Sequence, residues 1–190
     1  MKKLYIIAGP NGAGKTTASF TILPEIFNCK EFVNADEIAR GISPFNPEKV
    51  AFQSGRIMLQ RINELLEEKN SFAFETTLAT KSFIKFIEKA KIKGFEVILL
   101  FLQLSSENLA IERVKTRVKE GGHNIPKNII KRRFQNGLHN FFKLYIPKVD
   151  KWFLVDNSEE SFIFVANGTA KNSFIKNKKF WNKLKIKYGN

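Results

Sequence analysis

Residues Gly9-Pro10-Asn11-Gly12-Ala13-Gly14-Lys15-Thr16 gather in one octapeptide the groups needed to hold the phosphates of a nucleotide. Their spacing satisfies the phosphate-loop pattern G-x-x-x-x-G-K-[ST] at every fixed position. Glycines let the backbone curl until its N–H groups point inward at phosphate oxygens. Lys15 adds a point charge at the β- and γ-phosphates. The Thr16 hydroxyl is the candidate Mg²⁺ ligand, and the helix that continues through Thr17 turns its positive end toward the anion. A glycine-bearing turn can match such a pattern by chance, but the flanks argue against that here. Leu4-Tyr5-Ile6-Ile7-Ala8 reads as a short strand, and Thr17 to Leu23 continues as a helix as far as Pro24. Strand, loop, helix is the context that the chemistry requires.

A second set of polar groups closes later strands. Asn34 and Asp36 end the run from Glu31, and Glu75, Thr76 and Thr77 end the run from Ser71. Beside a phosphate loop, one such acid can hold Mg²⁺ or its water shell, and another can accept the proton of an attacking hydroxyl. Asp36 has a plainer alternative as the cap of a helix beginning at Glu37. The most hydrophobic run, Phe95 to Leu104, ends at Gln103 without a carboxylate. A metal would therefore rely on Thr16, phosphates, water, and Glu75 or Asp36, which points away from motor-type ATPases and toward small kinases. Arg113 and Arg117 lie four apart on one helix face, ahead of Gly121-Gly122-His123-Asn124-Ile125-Pro126 and Arg132-Arg133. Arginines around a glycine-bearing lid suit charge stabilisation of a phosphoryl group in transfer. The alternative is an exposed basic helix pairing with Glu112 or Glu120. His123 by itself points to nothing specific.

These groups need a frame that brings strand ends together. Short apolar strands alternate with amphipathic helices expected over Glu48–Asn70, Lys81–Lys93, Ser105 to Gly121, Pro126 to Pro147 and Asn172–Tyr188. Further strands are expected at Lys151–Asp156 and, at an edge, Phe162–Ala166. The alternation predicts an α/β fold, a three-layer α/β/α sandwich with a mainly parallel sheet of P-loop kinase type, whose ligands sit beyond the carboxyl ends of the strands. Its 190 residues read as one domain, with 171–190 as a basic helix packed on it through Phe174, Trp181, Leu184 and Tyr188.

Composition excludes several classes. Cys29 is the sole cysteine, so an internal disulfide is impossible and a reducing, cytoplasmic setting is expected. The longest apolar run, Val97 to Leu102, is six residues, which is too short to span a membrane. The formal charge is +14, with seven lysines and no acids in residues 171–190. Lysines outnumber arginines 25 to 7, which fits a solvated lysine surface better than a nucleic-acid grip.

Taken together, the chain resembles the zeta-toxin-like P-loop kinases of bacteria, in their short chromosomal form. The matching stretches are Gly9–Thr16, Asn34-Ala35-Asp36-Glu37-Ile38-Ala39-Arg40, Phe74-Glu75-Thr76-Thr77, Glu112-Arg113-Val114, and the Gly121–Pro126 lid with Arg132-Arg133. Thr76 stands where the plasmid toxins carry glycine. The resemblance implies ATP- and Mg²⁺-dependent phosphorylation of a sugar hydroxyl on a nucleotide sugar such as UDP-N-acetylglucosamine. It also implies Asp36 as general base, Asn34, Glu75 and Thr77 on the acceptor, Arg113 and Arg117 on the transferred phosphate, and a small antitoxin as a possible partner. Rival readings keep the kinase with a nucleoside, antibiotic or nucleic-acid acceptor, or make the chain a non-catalytic NTP-binding module. Asp36 separates these, since a binding module needs no base beside the γ-phosphate.

Overall fold

The apolar runs become the middle of a seven-stranded sheet in a computed structural model, which describes residues 1–122 and 124–189. In chain order the elements are β1 (Lys3–Ala8), α1 (Lys15–Glu25), β2 (Phe32–Val33), α2 (Ala35–Ile42), α3 (Ala51–Glu68), β3 (Phe72–Thr76) and α4 (Ile84–Ile92). Then come β4 (Glu96–Gln103), α5 (Glu107–Lys119), α6 (Lys127–Asn140), β5 (Lys151–Asp156), β6 (Ile163–Gly168), β7 (Ser173–Ile175) and α7 (Lys178–Tyr188). A 3₁₀ turn at Pro47–Val50 leads into α3, and a π turn at Phe141–Tyr145 prolongs α6.

The strand order is β2-β3-β1-β4-β5-β6-β7. The pairs from β2 through β5 are parallel, and β6 and β7 are added antiparallel. Along β4 every residue after Glu96 is buried, and β1 is buried from Leu4 onward. Consecutive burial requires cover on both faces, as parallel sheets have when crossover helices lie above and below them. This is the expected α/β fold. Among the described residues, no helix is long and apolar enough to cross a membrane.

Several boundaries differ from expectation, each for a local reason. α1 includes Pro24 in its last turn, where the missing N–H breaks the ladder near its end. α2 begins directly after β2, and its cap is Asn34 rather than Asp36: the Asn34 side chain accepts from the Asp36 amide at 2.8 Å. The tail is not one helix from Asn172. Its first part forms β7, the true edge strand, so β6 is an inner strand. Three largely exposed residues carry no periodic signal that a sequence reading could detect. Phe174 is accordingly 64% exposed, and the buried stripe of α7 is Trp181, Leu184 and Tyr188. Trp181 stacks on Trp152 of β5 with ring centroids 5.4 Å apart.

Candidate active site

The phosphate loop starts where β1 stops. Gly9 takes φ +144°, and a Cβ there would lie 2.1 Å from the Leu102 carbonyl oxygen, so only glycine fits this exit. The loop then folds back, with Ala13 donating its amide to the Pro10 carbonyl at 3.2 Å, and runs into the N-terminus of α1. Asn157, just beyond β5, holds the loop from outside by donating its side-chain amide to the Ala13 carbonyl at 2.9 Å.

Register places the acids. In the parallel pairing of β1 with β3, Ile7 stands beside Glu75 and Ala8 beside Thr76. Glu75 therefore leaves its strand next to the phosphate loop. Its Oε2 accepts from the Thr16 hydroxyl and from the Asn34 side-chain amide, both at 2.8 Å. Its Oε1 faces the Lys15 ammonium at 3.5 Å, and Lys15 also donates to the Pro10 carbonyl at 3.1 Å. Lys15 is 6% exposed, so its charge is held in a poorly solvated place that suits a polyanion. Asn34 serves two elements: its oxygen caps α2 and its nitrogen organises Glu75 and Thr16. Asp36 follows in the first turn of α2, half-buried, on the wall of the same cleft.

That cleft has a volume of about 760 Å³. Lys15, Asp36, Glu75 and Thr77 line it together, joined by Phe52, Arg56, Arg132 and Arg133. Arg133 bridges to the phosphate loop, donating to the Asn11 side-chain oxygen at 3.3 Å. Burial pushes its guanidinium below the usual arginine range, with nearby Asp36 opposing and Arg132 adding to the shift.

The donor set fits the groups that the loop implies. A Thr16 hydroxyl whose hydrogen points at Glu75 keeps oxygen lone-pair density for a hard cation. Among the described residues, no three His, Cys, Asp or Glu side chains form a metal cluster. Mg²⁺ typically takes one or two protein oxygens and completes its shell with phosphates and water, so Thr16 and Glu75 are sufficient.

The arginines divide between the cleft and its supporting frame. Arg113 does not line the cleft. Its guanidinium donates to the carbonyls of Asn157 and Ser158 at 2.7 and 2.9 Å, so it braces the segment that holds Ala13. Arg117 packs beside Gly122, where a Cβ would come within 2.7 Å of its Cγ, and it too is outside the cleft wall. Arg132 and Arg133 line the cleft from α6, whereas α5 packs on the back of the phosphate loop, with Ala110 and Arg113 against Gly12. His123 lies outside the described residues. The sequence reading did not single out Phe52, Arg56 or Asn157. For Phe52 a signal existed: it lies off the buried α3 positions Ser54, Met58, Ile62, Leu65 and Leu66, and it is 83% exposed.

Comparison with known proteins bears on the family and the fold. The family model described as "Zeta toxin" matches residues 1–169. An uncharacterized protein of Haemophilus influenzae is 31% identical over 143 residues, covering 70% of this chain and 98% of that protein. Among solved structures, the AvrRxo1-ORF1:AvrRxo1-ORF2 complex with sulphate ions superposes with a TM-score of 0.79 at 17% identity. That match covers 97% of this chain, which spans 63% of the AvrRxo1 chain. The PezAT chromosomal toxin–antitoxin system of Streptococcus pneumoniae gives a TM-score of 0.66 at 15% identity, over 98% of this chain and 78% of that one. The structural likenesses establish the fold, and the family match over most of the length establishes descent: this chain belongs to the zeta-toxin family and is built as a P-loop kinase.

Proposed function

We propose that the protein transfers the γ-phosphate of ATP to a sugar hydroxyl of a nucleotide sugar, with UDP-N-acetylglucosamine as the acceptor to test first. The observation that carries this reading is the convergence of Lys15, Asp36 and Arg133 on one cleft that also presents Arg56, Arg132 and Phe52. Lys15 and Arg133 suffice for the transferring phosphate. The two further arginines and an exposed aromatic ring suit an acceptor that is itself anionic and carries a planar base.

The backbone of Gly9–Thr16 cradles the phosphates, and Lys15 holds charge at the γ-phosphate. Asp36 accepts the proton as the acceptor oxygen bonds to phosphorus and the bond to the β–γ bridging oxygen breaks, leaving ADP. Arg133 stabilises the charge that spreads over the equatorial oxygens. Thr16, backed by Glu75, would hold Mg²⁺, which when bound neutralises the β- and γ-phosphates. Thr77 contacts the acceptor on the cleft wall. A small antitoxin protein is the possible partner that membership of this family adds to the reading. A reducing cytoplasm is the compartment it entails, where the buried Cys29 stays a thiol.

The test is incubation with Mg²⁺-ATP and a panel of nucleotide sugars, nucleosides and aminoglycosides, followed by mass spectrometry. One nucleotide sugar heavier by a single phosphate supports the reading. Phosphorylation confined to another class of acceptor overturns the acceptor assignment.

A further inference from the structure

The segment after Glu75 is folded in an unusual way. Leu78 is fully buried and adopts φ +54°, a left-handed conformation that bulky L side chains rarely take. Its neighbours Thr76, Thr77, Ala79 and Thr80 all line the cleft. The left-handed residue thus turns one side chain into the core while the flanking ones face the acceptor space. Such a conformation persists only where the surroundings over-determine it.

Here the surroundings are one stripe of α6 and the π turn that follows. A Cβ on Gly137 would lie 2.5 Å from the Thr77 carbonyl oxygen, so the helix backbone rests directly on that residue. The Asn140 side-chain amide, 5% exposed, donates to the Leu78 carbonyl at 2.7 Å. The phenol of buried Tyr145 donates to the Thr80 carbonyl at 2.7 Å. Burial holds the Tyr145 proton on its oxygen well above the ordinary phenol range, which keeps it a donor. The π turn spans Phe141–Tyr145, with the Ile146 amide reaching the Phe141 carbonyl at 3.0 Å. A turn widened to i→i+5 lets Tyr145 reach the same segment as Asn140. Four and seven residues before Gly137 and Asn140, on the same helix face, stands Arg133, bonded to Asn11 of the phosphate loop.

We propose that Gly137, Asn140 and Tyr145 are positioning residues for the acceptor: they act through residues 77–80 and set the distance between that segment and Arg133. One rigid helix face touches both halves of the reaction, the phosphate loop through Arg133 and the acceptor wall through the other three. A shift of α6 carries both together. This rests on the reading of Thr77 as an acceptor contact given above.

The test pairs hydrogen exchange with steady-state kinetics on the full chain. Tyr145→Phe removes one oxygen and keeps the ring in the core; Gly137→Ala pushes on the Thr77 carbonyl; Asn140→Ala removes the third tie. Exchange at residues 77–80 is expected to speed up about tenfold in Tyr145→Phe, the size of one buried hydrogen bond. Amides of residues 9–16 should keep their protection. The KM for the nucleotide sugar should rise by about the same factor, with the KM for ATP unchanged. Unchanged exchange at 77–80 overturns the inference. So does acceleration spread evenly over the sheet with both KM values rising together, which marks a merely structural role. If the wild-type protein phosphorylates no nucleotide sugar, the acceptor reading fails by itself, and the local exchange of 77–80 against 9–16 still decides the coupling.

Discussion

Three side chains carry the chemistry in this reading, and each has a distinct expected failure. Lys15→Ala removes a charge held 6% exposed against Glu75 and the Pro10 carbonyl. Turnover should fall by about 10²–10³, as for loss of a single oxyanion donor, with the circular dichroism spectrum unchanged. Near wild-type turnover would remove the kinase reading. Asp36→Asn keeps shape but cannot take a proton, so calorimetry should find ATP binding intact while phosphoryl transfer is lost. Weak ATP binding with normal turnover per bound ATP would instead assign Asp36 to the metal. Arg133→Lys tests the arginine proposed for the transferring phosphate. Burial already lowers the Arg133 guanidinium, which starts so high that it stays charged at every working pH. A lysine placed there is lowered by the same burial from a lower start. Its charged form exists below its depressed pKa and is lost as pH rises through it. The variant should therefore lose activity progressively on the alkaline side, where the wild type does not, as a pH–rate profile would record. Arg113→Lys should behave differently, loosening the Asn157–Ser158 brace and lowering stability without an alkaline limb.

At the scale of elements, the junction of β2 and α2 does the most with the fewest residues. Asn34 is acceptor to the α2 N-terminus and donor to Glu75 at once. Asn34→Asp keeps the capping oxygen, so α2 should survive, whereas Asn34→Ala would cost about 1 kcal/mol of cap. The new carboxylate would replace a donor with a charge against Glu75. Two like charges in contact raise the pKa of one of them above its unfolded value. Such a group stabilises the fold while protonated and loses that stability as pH rises through its raised pKa. Asn34→Asp should thus melt at a lower temperature at pH 8 than at pH 5, relative to wild type. A melting temperature that follows wild type at both values would overturn this account of the Asn34–Glu75 contact.

Over the whole molecule, the last twenty residues contribute an edge strand and a helix rather than a helix alone. α7 seats Trp181, Leu184 and Tyr188, and Trp181 also meets Phe142 edge-on at 5.2 Å. Burying three such side chains is worth roughly 5–8 kcal/mol before the entropy of ordering the segment is subtracted. Deleting residues 171–190 also uncovers Trp152 and the edge of β6. The truncated chain should therefore show a lower melting temperature and poorer solubility. A truncation as stable as the full chain that no longer binds polyanions would reverse this account and assign the seven tail lysines to a nucleic-acid surface, testable through the salt dependence of RNA binding.

The sequence by itself determined the phosphate-loop motif, the strand-end position of Glu75, and the mainly parallel α/β fold. All of these rest on local spacing: a fixed pattern of glycines and a lysine, and apolar runs that must be covered on both faces. It also located the arginines near a lid, but not which of them reaches the cleft. That depends on how α5 and α6 pack, and packing turned Arg113 toward the Asn157 and Ser158 carbonyls while α6 presented Arg133 to Asn11. Likewise, no local pattern marks Leu78 as left-handed, or ties Asn140 to its carbonyl and Tyr145 to that of Thr80 across more than sixty residues. Long-range contacts of this kind exist only once the chain has closed around them, so tertiary structure alone decided how the acceptor wall is held.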